Sequence, residues 1–234
     1  DTLSRATGVT VELVIIKTRG DQVVDRPLAA VGGKGLFTKE IEDALLAREV
    51  DFAVHSMKDM PTENPEGLVF GAIPEREDPR DVLVGARLED LPQGAVIGTG
   101  SVRRTLQLLA LRPDLELRGI RGNVDTRIEK QRRGDYAAVM LALAGLVRLG
   151  RGADATEALS VEQMVPAVGQ GALAVQCRRD DDELLKILEH IHHGPTGICV
   201  GAERAFLVEV QGGCSAPAAC HARLIDGLVV ADGI

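Results

Sequence analysis

Tryptophan is absent, and aromatic residues make up only 2% of the 234-residue chain. The core must therefore be aliphatic, built from Val, Leu, Ile and Ala. An excess of positive charge is missing as well. The net charge of −8 argues against non-specific binding to nucleic acid or to an anionic membrane surface. No apolar run reaches the ~18 residues that a membrane-spanning helix needs, and the opening Asp1-Thr2-Leu3-Ser4-Arg5 has no apolar signal core. The four cysteines, Cys177, Cys199, Cys214 and Cys220, lack the density of a disulfide scaffold and the paired C-x-x-C of zinc sites. The cytoplasm is the expected compartment. Neither an internal repeat nor a low-complexity linker interrupts the chain. What remains, 45% hydrophobic and 26% charged residues, is the composition of a globular chain long enough for one large domain or two to three small ones.

Strand-like and helix-like stretches alternate. Val9–Ile16, Asp51–Ser56, Ala95–Thr99, Leu115–Ile120, Ala137–Ala142 and Ala172–Cys177 carry the short apolar runs of strands. Thr38–Arg48 puts Ile41, Ala44 and Leu45 on one face and predicts a helix. Thr105–Leu111, closed by Pro113, predicts a second. The basic stretch Val124–Arg133, Asp181–Ile191 and Thr196–Val210 predict three more. The alternation points to an α/β chain with mainly parallel sheets. The charged, proline-containing run at 75–81 predicts a crossing between two domains. Gly194-Pro195 predicts a second break, before a smaller third domain.

Two glycine-rich turns look like nucleotide sites and fail on inspection. In Gly98-Thr99-Gly100-Ser101-Val102-Arg103, an arginine stands where the dinucleotide fingerprint needs its third glycine. Gly33-Lys34-Gly35 lacks the Ser/Thr of a P-loop. Tight strand-to-helix turns are the simpler reading. The arginines carry more information. Arg103, Arg104, Arg121, Arg127 and Arg148 follow strand ends or open the next helix, where ligands of open α/β sheets collect. Their planar forks suit carboxylates, so the set points to a polyanionic ligand. Scattered surface arginines are the plain alternative, and Arg132 and Arg133 are left to it.

Asp59 sits just past a strand end beside Lys58, where a carboxylate can act as general acid or base or stabilise a developing cation; an ordinary turn aspartate is the alternative. His55 and Ser56 are neighbours on a strand and point to opposite faces, so they form no dyad. Cys214, in Gly212-Gly213-Cys214-Ser215-Ala216-Pro217, is an accessible loop thiol, as a reactive or modified cysteine must be. Cys177 and Cys199 lie on apolar elements and read as inert. Cys220-His221 has no second ligand pair at metal-binding spacing.

Several segments, taken in order, resemble one family. They are Thr18-Arg19-Gly20-Asp21, Val31-Gly32-Gly33-Lys34-Gly35-Leu36-Phe37, Val54-His55-Ser56-Met57-Lys58-Asp59, Arg76-Glu77-Asp78-Pro79-Arg80-Asp81 and Ser101-Val102-Arg103-Arg104. They continue with Arg121-Gly122-Asn123-Val124-Asp125-Thr126-Arg127, Ala144-Gly145-Leu146, Pro166-Ala167-Val168-Gly169-Gln170-Gly171 and the Cys214 loop. The chain resembles the porphobilinogen deaminase family over essentially its whole length. The resemblance implies two domains like the halves of type II periplasmic binding proteins, covering 1–76 with 172–192 and 77–171, with mainly parallel sheets. A small α+β domain at 193–234 would follow.

The resemblance further implies a dipyrromethane cofactor held by Cys214 through a thioether. It implies catalysis by Asp59 and cofactor contacts from Lys58, Ser56, Asp21, Thr99, Ser101, Arg103, Arg104 and Lys34. Substrate contacts would come from Arg121, Arg127, Arg148 and Gln170. The implied activity is that of a cytoplasmic, monomeric transferase without a metal. It joins four porphobilinogen molecules and releases hydroxymethylbilane. Set against the family pattern, the chain opens after the first strand and helix and stops inside the third domain, which implies truncation at both ends. Two other readings stay open: a two-lobed carboxylate-binding module without catalysis, and an inactive fragment of the enzyme.

Overall fold

The computed structural model describes residues 2–18, 38–210 and 217–234. Helices α1 (Thr2–Thr7) and α2 (Lys39–Leu46) precede strand β1 (Phe52–Ser56), a single 3-10 turn (Met57–Asp59) and β2 (Leu68–Ala72). Then come β3 (Asp81–Val84), β4 (Val96–Gly98), α3 (Val102–Leu111), β5 (Glu116–Arg118), α4 (Val124–Arg132), β6 (Ala138–Ala142), α5 (Leu143–Arg148) and β7 (Glu157–Ala158). Strand β8 (Leu173–Arg178), helices α6 (Asp182–Glu189) and α7 (Gly194–Glu209), and the hairpin β9 (Cys220–Ile225) and β10 (Leu228–Gly233) complete the chain.

The strands form a three-stranded sheet in the order β1-β8-β2, a five-stranded sheet in the order β5-β4-β6-β3-β7, and the β9–β10 hairpin. The α/β class holds, but the sheets are mixed rather than mainly parallel. Among the described residues, only β4 pairs in parallel, with β5 and β6, whereas β8 runs antiparallel to both its neighbours and β3 to both of its own. The parallel expectation fails because the chain leaves one sheet after β2 and re-enters it only at β8. A strand arriving from another sheet is not bound to the orientation that a helical crossover imposes.

Strand β6 shows why the larger sheet reads as a continuous apolar run. Ala138 and Met140 join Leu83, Ile97 and Leu108 on one face, while Val139 and Leu141 join Val82, Val84, Ile128 and Leu146 on the other. Side chains alternate across a strand, and helices cover both faces, so both sets are apolar. Helix α3 starts at Ser101, whose hydroxyl accepts from Arg104 N at 3.4 Å, and α4 at Asn123, which accepts from Thr126 N at 2.9 Å.

One expected strand is not there. Residues 8–18 form no strand or helix, and Leu13 and Ile15 stand 90% and 89% exposed. The run has strand composition, but among the described residues no ladder partner takes up its backbone groups, and composition alone does not make a strand. Strands β2, β3, β7, β9 and β10 and helix α5 were not expected. Arg148 therefore closes a helix rather than following a strand directly.

Candidate functional site

Two sheet edges meet where the chain crosses between them. Strands β5, β4 and β6 point their carboxyl ends the same way, and β3, running against β6, places Asp81 opposite Ala142 at that edge. In the smaller sheet, Ser56 at the carboxyl end of β1 pairs with Leu173 at the start of β8. Residues 73–80 leave from the matching end of β2 without regular structure. The returning segment is pinned at this junction, where Gln170 Nε2 donates to Asp81 Oδ1 at 2.9 Å and to Pro79 O at 2.6 Å.

Asp81 is fully buried and binds two arginines. Arg104 Nε donates to Oδ1 at 2.9 Å with Nη2 2.7 Å from the same oxygen, and Arg103 Nη2 lies 2.7 Å from Oδ2. The remaining contacts are backbone carbonyls: Arg103 Nη1 donates to Val165 O at 2.6 Å and Arg104 Nη1 to Met140 O at 3.1 Å. Burial pushes the Asp81 carboxyl up, but the charges of Arg104 and Arg103 and the Gln170 hydrogen bond outweigh it and hold it below the usual value. Burial has the upper hand at Arg103, whose pKa lies below the usual value despite Asp81. Arginine has so much margin that the group stays charged.

Asp59 and Lys58 sit on the 3-10 turn after β1. The backbone of that turn is tied by Met57 N donating to Ala172 O at 3.0 Å and Met60 N to Met57 O at 3.1 Å. Met57 and Met60 are buried, Lys58 is half-buried, and Asp59 keeps contact with solvent although protein crowds it. That combination leaves the Asp59 carboxyl open to solvent at the carboxyl end of β1. Crowding raises the Asp59 pKa, partly offset by the charges of Lys58 and His55. The Lys58 amine is lowered to about 8, first by crowding and next by the Arg104 charge, with Arg103 adding to it. His55 is buried on β1 and its pKa is lowered by that burial, against the pull of Gln176 and Asp59.

A further group of cations surrounds the junction. Burial and the charges of Arg104 and Arg121 lower the Arg127 pKa. Arg127 Nε reaches only the backbone, Gly122 O at 2.8 Å, and Arg148 Nη2 donates to Gly171 O at 2.6 Å. Among the described residues, no carboxylate comes within ion-pair distance of Lys58, Arg121, Arg127 or Arg148. Elsewhere arginines of this acidic chain find acids, as Arg132 does at Asp154 and Arg133 at Asp135. Cations left without acids are what a carboxylate-rich ligand needs, so the donor set fits a pyrrole-based group carrying several carboxylates.

The expected site residues therefore sort into three groups. Asp59, Lys58, Arg103, Arg104, Arg121 and Arg127 act on one another electrostatically. Gln170 and Arg148 attach to the crossing segments, and Ser56 closes β1. Thr99 is buried and accepts from Ser101 N at 3.2 Å, while Ser101 caps α3, so both also have structural work. Asp21, Lys34 and Cys214 lie outside the described residues. Sequence reading passed over Asp81, Glu203 and Arg204. A buried carboxylate between two arginines is signalled by nothing local, because its partners lie 22 and 23 positions along the chain; only the Asp81-to-Arg pairing in space reveals it.

Residues 1–186 match the family model described as porphobilinogen deaminase, dipyromethane cofactor binding domain, and residues 197–232 match its C-terminal domain. A protein of Geobacillus kaustophilus named porphobilinogen deaminase is 56% identical over 224 residues, covering 94% of this chain and 72% of the relative. Proteins of the same name from Brevibacillus brevis and Nitratidesulfovibrio vulgaris are each 53% identical. They cover 90% and 97% of this chain and 69% and 73% of the relatives. Among solved structures, the periplasmic VFT2 domain of Bordetella pertussis BvgS is 15% identical with a TM-score of 0.44, covering 88% of this chain and 79% of that one. The substrate binding protein of an amino acid ABC transporter is 18% identical with a TM-score of 0.39, covering 89% and 83%. The enzyme that gives these relatives their name is a transferase of tetrapyrrole synthesis acting on porphobilinogen, and this chain belongs to the porphobilinogen deaminase family.

Proposed function

We propose that the chain performs hydroxymethylbilane synthesis, adding four porphobilinogen units in turn with loss of ammonia at each and releasing the product with water. A dipyrromethane group held through Cys214 would supply the primer for chain growth. The observation that carries the reading is the crowded Asp59 carboxyl beside Lys58, Arg121, Arg127 and Arg148, which among the described residues make no ion pair.

The chemistry of the reaction suggests a role for each residue. Ammonia leaves an aminomethylpyrrole as the C–N bond breaks and nitrogen keeps the electron pair, so the amine must carry a proton. The remaining methylene-pyrrole is cationic until the next C–C bond forms and a ring proton departs. Asp59, with its pKa raised by crowding, handles a proton at its Oδ atoms more readily than a free aspartate, and its charge stabilises the pyrrole nitrogen. Every ring brings an acetate and a propionate. Arg121, Arg127 and Arg148 bind the carboxylates of the incoming unit, with Gln170 fixing the crossing beside them. Lys58, Ser56, Thr99, Ser101, Arg103 and Arg104 face the cofactor, with Asp21 and Lys34 added from the matching motifs. A guanidinium has five N–H donors, and Asp81 and the carbonyls use only some of those on Arg103 and Arg104. We take 1–76 with 172–192, 77–171 and 193–234 as the three domains of a cytoplasmic monomer.

The test combines two measurements on the purified chain. Intact mass followed by peptide mapping should find a covalent pyrrolic adduct on the Cys214 peptide. Incubation with porphobilinogen should then release ammonia and hydroxymethylbilane in a ratio of four to one. Reversible porphobilinogen binding with neither adduct nor ammonia would overturn the enzymatic reading in favour of a binding module.

A further inference from the structure

Arg204, on α7, reaches the chain that leaves the turn carrying Lys58 and Asp59. Its Nη2 donates to Pro61 O at 2.6 Å and to Thr62 O at 2.8 Å. Its Nη1 lies 3.9 Å from Met57 Sδ, and its guanidinium carbon stands 5.2 Å from the centre of the Phe70 ring. The entrance to the turn is fixed by other means. Met57 N donates to Ala172 O at 3.0 Å. The Met57 side chain fills the space left by Gly169, whose φ is +69° and where a Cβ would stand 2.5 Å from Met57 Cγ. The exit, residues 61–67, forms neither strand nor helix and depends on side chains, with Asn64 Oδ1 accepting from Gln176 Nε2 at 3.1 Å. The preceding residue of α7, Glu203, accepts from Gly169 N at 2.7 Å, binds Arg76 and accepts from Ala222 N at 2.8 Å. Two consecutive residues of one helix thus hold the chain beneath the turn and the chain leaving it.

We propose that Arg204 is a positioning residue for the Lys58–Asp59 turn, locking its exit to the helix that leads toward Cys214. The inference rests on the reading of Asp59 as the acid–base group. Two carbonyls converge on one nitrogen of a planar group that itself lies over the Phe70 ring, so the guanidinium fixes the direction of the chain as well as its distance. Without those donors the exit relaxes, and Asp59 moves with it.

Arg204→Met keeps the length and apolar packing but removes the donors, and Arg204→Lys restores a cation and donors without the planar fork. The kinetics compare both variants and the wild type as holoenzymes, per cofactor-loaded chain. The first readout, taken on the cofactor-free forms of the same chains so that no cofactor carboxylate faces Lys58, is the pH dependence of Lys58 acylation by acetic anhydride, followed by peptide mass. It requires no turnover. The wild-type midpoint should fall near 8, and in Arg204→Met it should rise toward the ordinary lysine value of 10.5. The second readout is steady-state kinetics. In Arg204→Met, kcat should fall about tenfold to a hundredfold, the scale of an ångström-sized misplacement, with KM little changed and with partial recovery in Arg204→Lys. A Lys58 midpoint and a kcat both unchanged in a folded Arg204→Met chain would overturn the proposal. If Arg204→Met does not fold, the same comparison in Arg204→Lys decides it. A wild-type chain that makes no hydroxymethylbilane defeats the reading of Asp59 instead, and the Lys58 midpoint still decides the positioning.

Discussion

Arg104 presents Nε and Nη2 to a single oxygen of Asp81, at 2.9 and 2.7 Å, in a place where neither side chain meets solvent appreciably. The second oxygen of Asp81 lies 2.7 Å from Arg103. One carboxylate therefore holds two neighbouring guanidinium groups that would repel each other without it, and leaves the group with one net positive charge. The junction keeps its attraction for anions while the two cations are fixed.

Asp81→Asn should cost about 3–5 kcal/mol of stability, the usual penalty for leaving a buried charge without its partner. Denaturant unfolding measures it. The pH dependence has a definite sign. The folded Asp81 pKa lies below the ordinary aspartate value of 3.8, so its contribution is fully present above that value and disappears as the pH falls through the lower folded value. Loss of under about 1 kcal/mol at neutral pH, the range typical of a surface pair, would show that the buried pairing does not govern this junction.

Asp59 should behave in the opposite way. Its folded pKa lies above 3.8 because protein crowds it. The folded state therefore holds the proton more tightly than the unfolded chain does. Stability falls as the pH rises from 3.8 through the folded value. Asp59→Asn should accordingly be more stable than wild type at neutral pH while turnover drops by at least about a hundredfold. Thermal unfolding and ammonia release measure the two effects. A variant with near-normal ammonia release would rule out the catalytic role, and one with lowered stability would rule out the electrostatic account of it.

These two aspartates show what the sequence makes legible. Asp59 could be singled out because its chemistry is local: a strand end, a polar turn, a neighbouring lysine. The helices Val124–Arg132 and Asp182–Glu189 and the strands Phe52–Ser56 and Ala138–Ala142 were readable for the same reason, since periodicity and caps act within a few residues. Asp81 looked like the end of a charged linker, yet it opens a fully buried strand. Its partners, Arg103, Arg104 and Gln170, come from a later helix and from the return crossing. The strand direction of β8 was hidden likewise, because it depends on how the chain returns to the first sheet. In the Val9–Ile16 run the error goes the other way, since β-branched residues were present and, among the described residues, a partner strand was not.

The crossing segments make their own prediction. Gly171 has a φ of +86°, and a Cβ on it would stand 2.3 Å from Glu77 O, a backbone atom that cannot swing aside. The same residue accepts from Glu77 N at 3.2 Å and from Arg148 Nη2 at 2.6 Å. Gly171→Ala combines backbone strain with a clash between the outgoing and returning chains. It should destabilise the protein by about 1–3 kcal/mol and disturb Arg148. Gly150→Ala is the control, because its φ of +69° brings the strain without a neighbour within 4 Å. Equal effects at the two positions in denaturant unfolding would mean that the close approach of the crossings contributes nothing.

The last prediction concerns which thiol carries the cofactor. Cys177, Cys199 and Cys220 are all buried. Burial raises each of their pKa values, and Cys220, with the Glu203 charge adding to the effect, is pushed up to about 11. The nucleophile in thioether formation is the thiolate, so at neutral pH these three thiols are both inaccessible and protonated. Cys214 remains, in a Gly-Gly-Cys loop that precedes Ser215-Ala216-Pro217. Intact mass should therefore show the dipyrromethane increment in Cys177→Ala, Cys199→Ala and Cys220→Ala and lose it completely in Cys214→Ala. Brief treatment of the cofactor-free native chain with iodoacetamide at neutral pH should modify the Cys214 peptide before the other three. An increment that survives in Cys214→Ala, or preferential alkylation of Cys220, would move the attachment point and with it the proposed approach of the cofactor to Asp59.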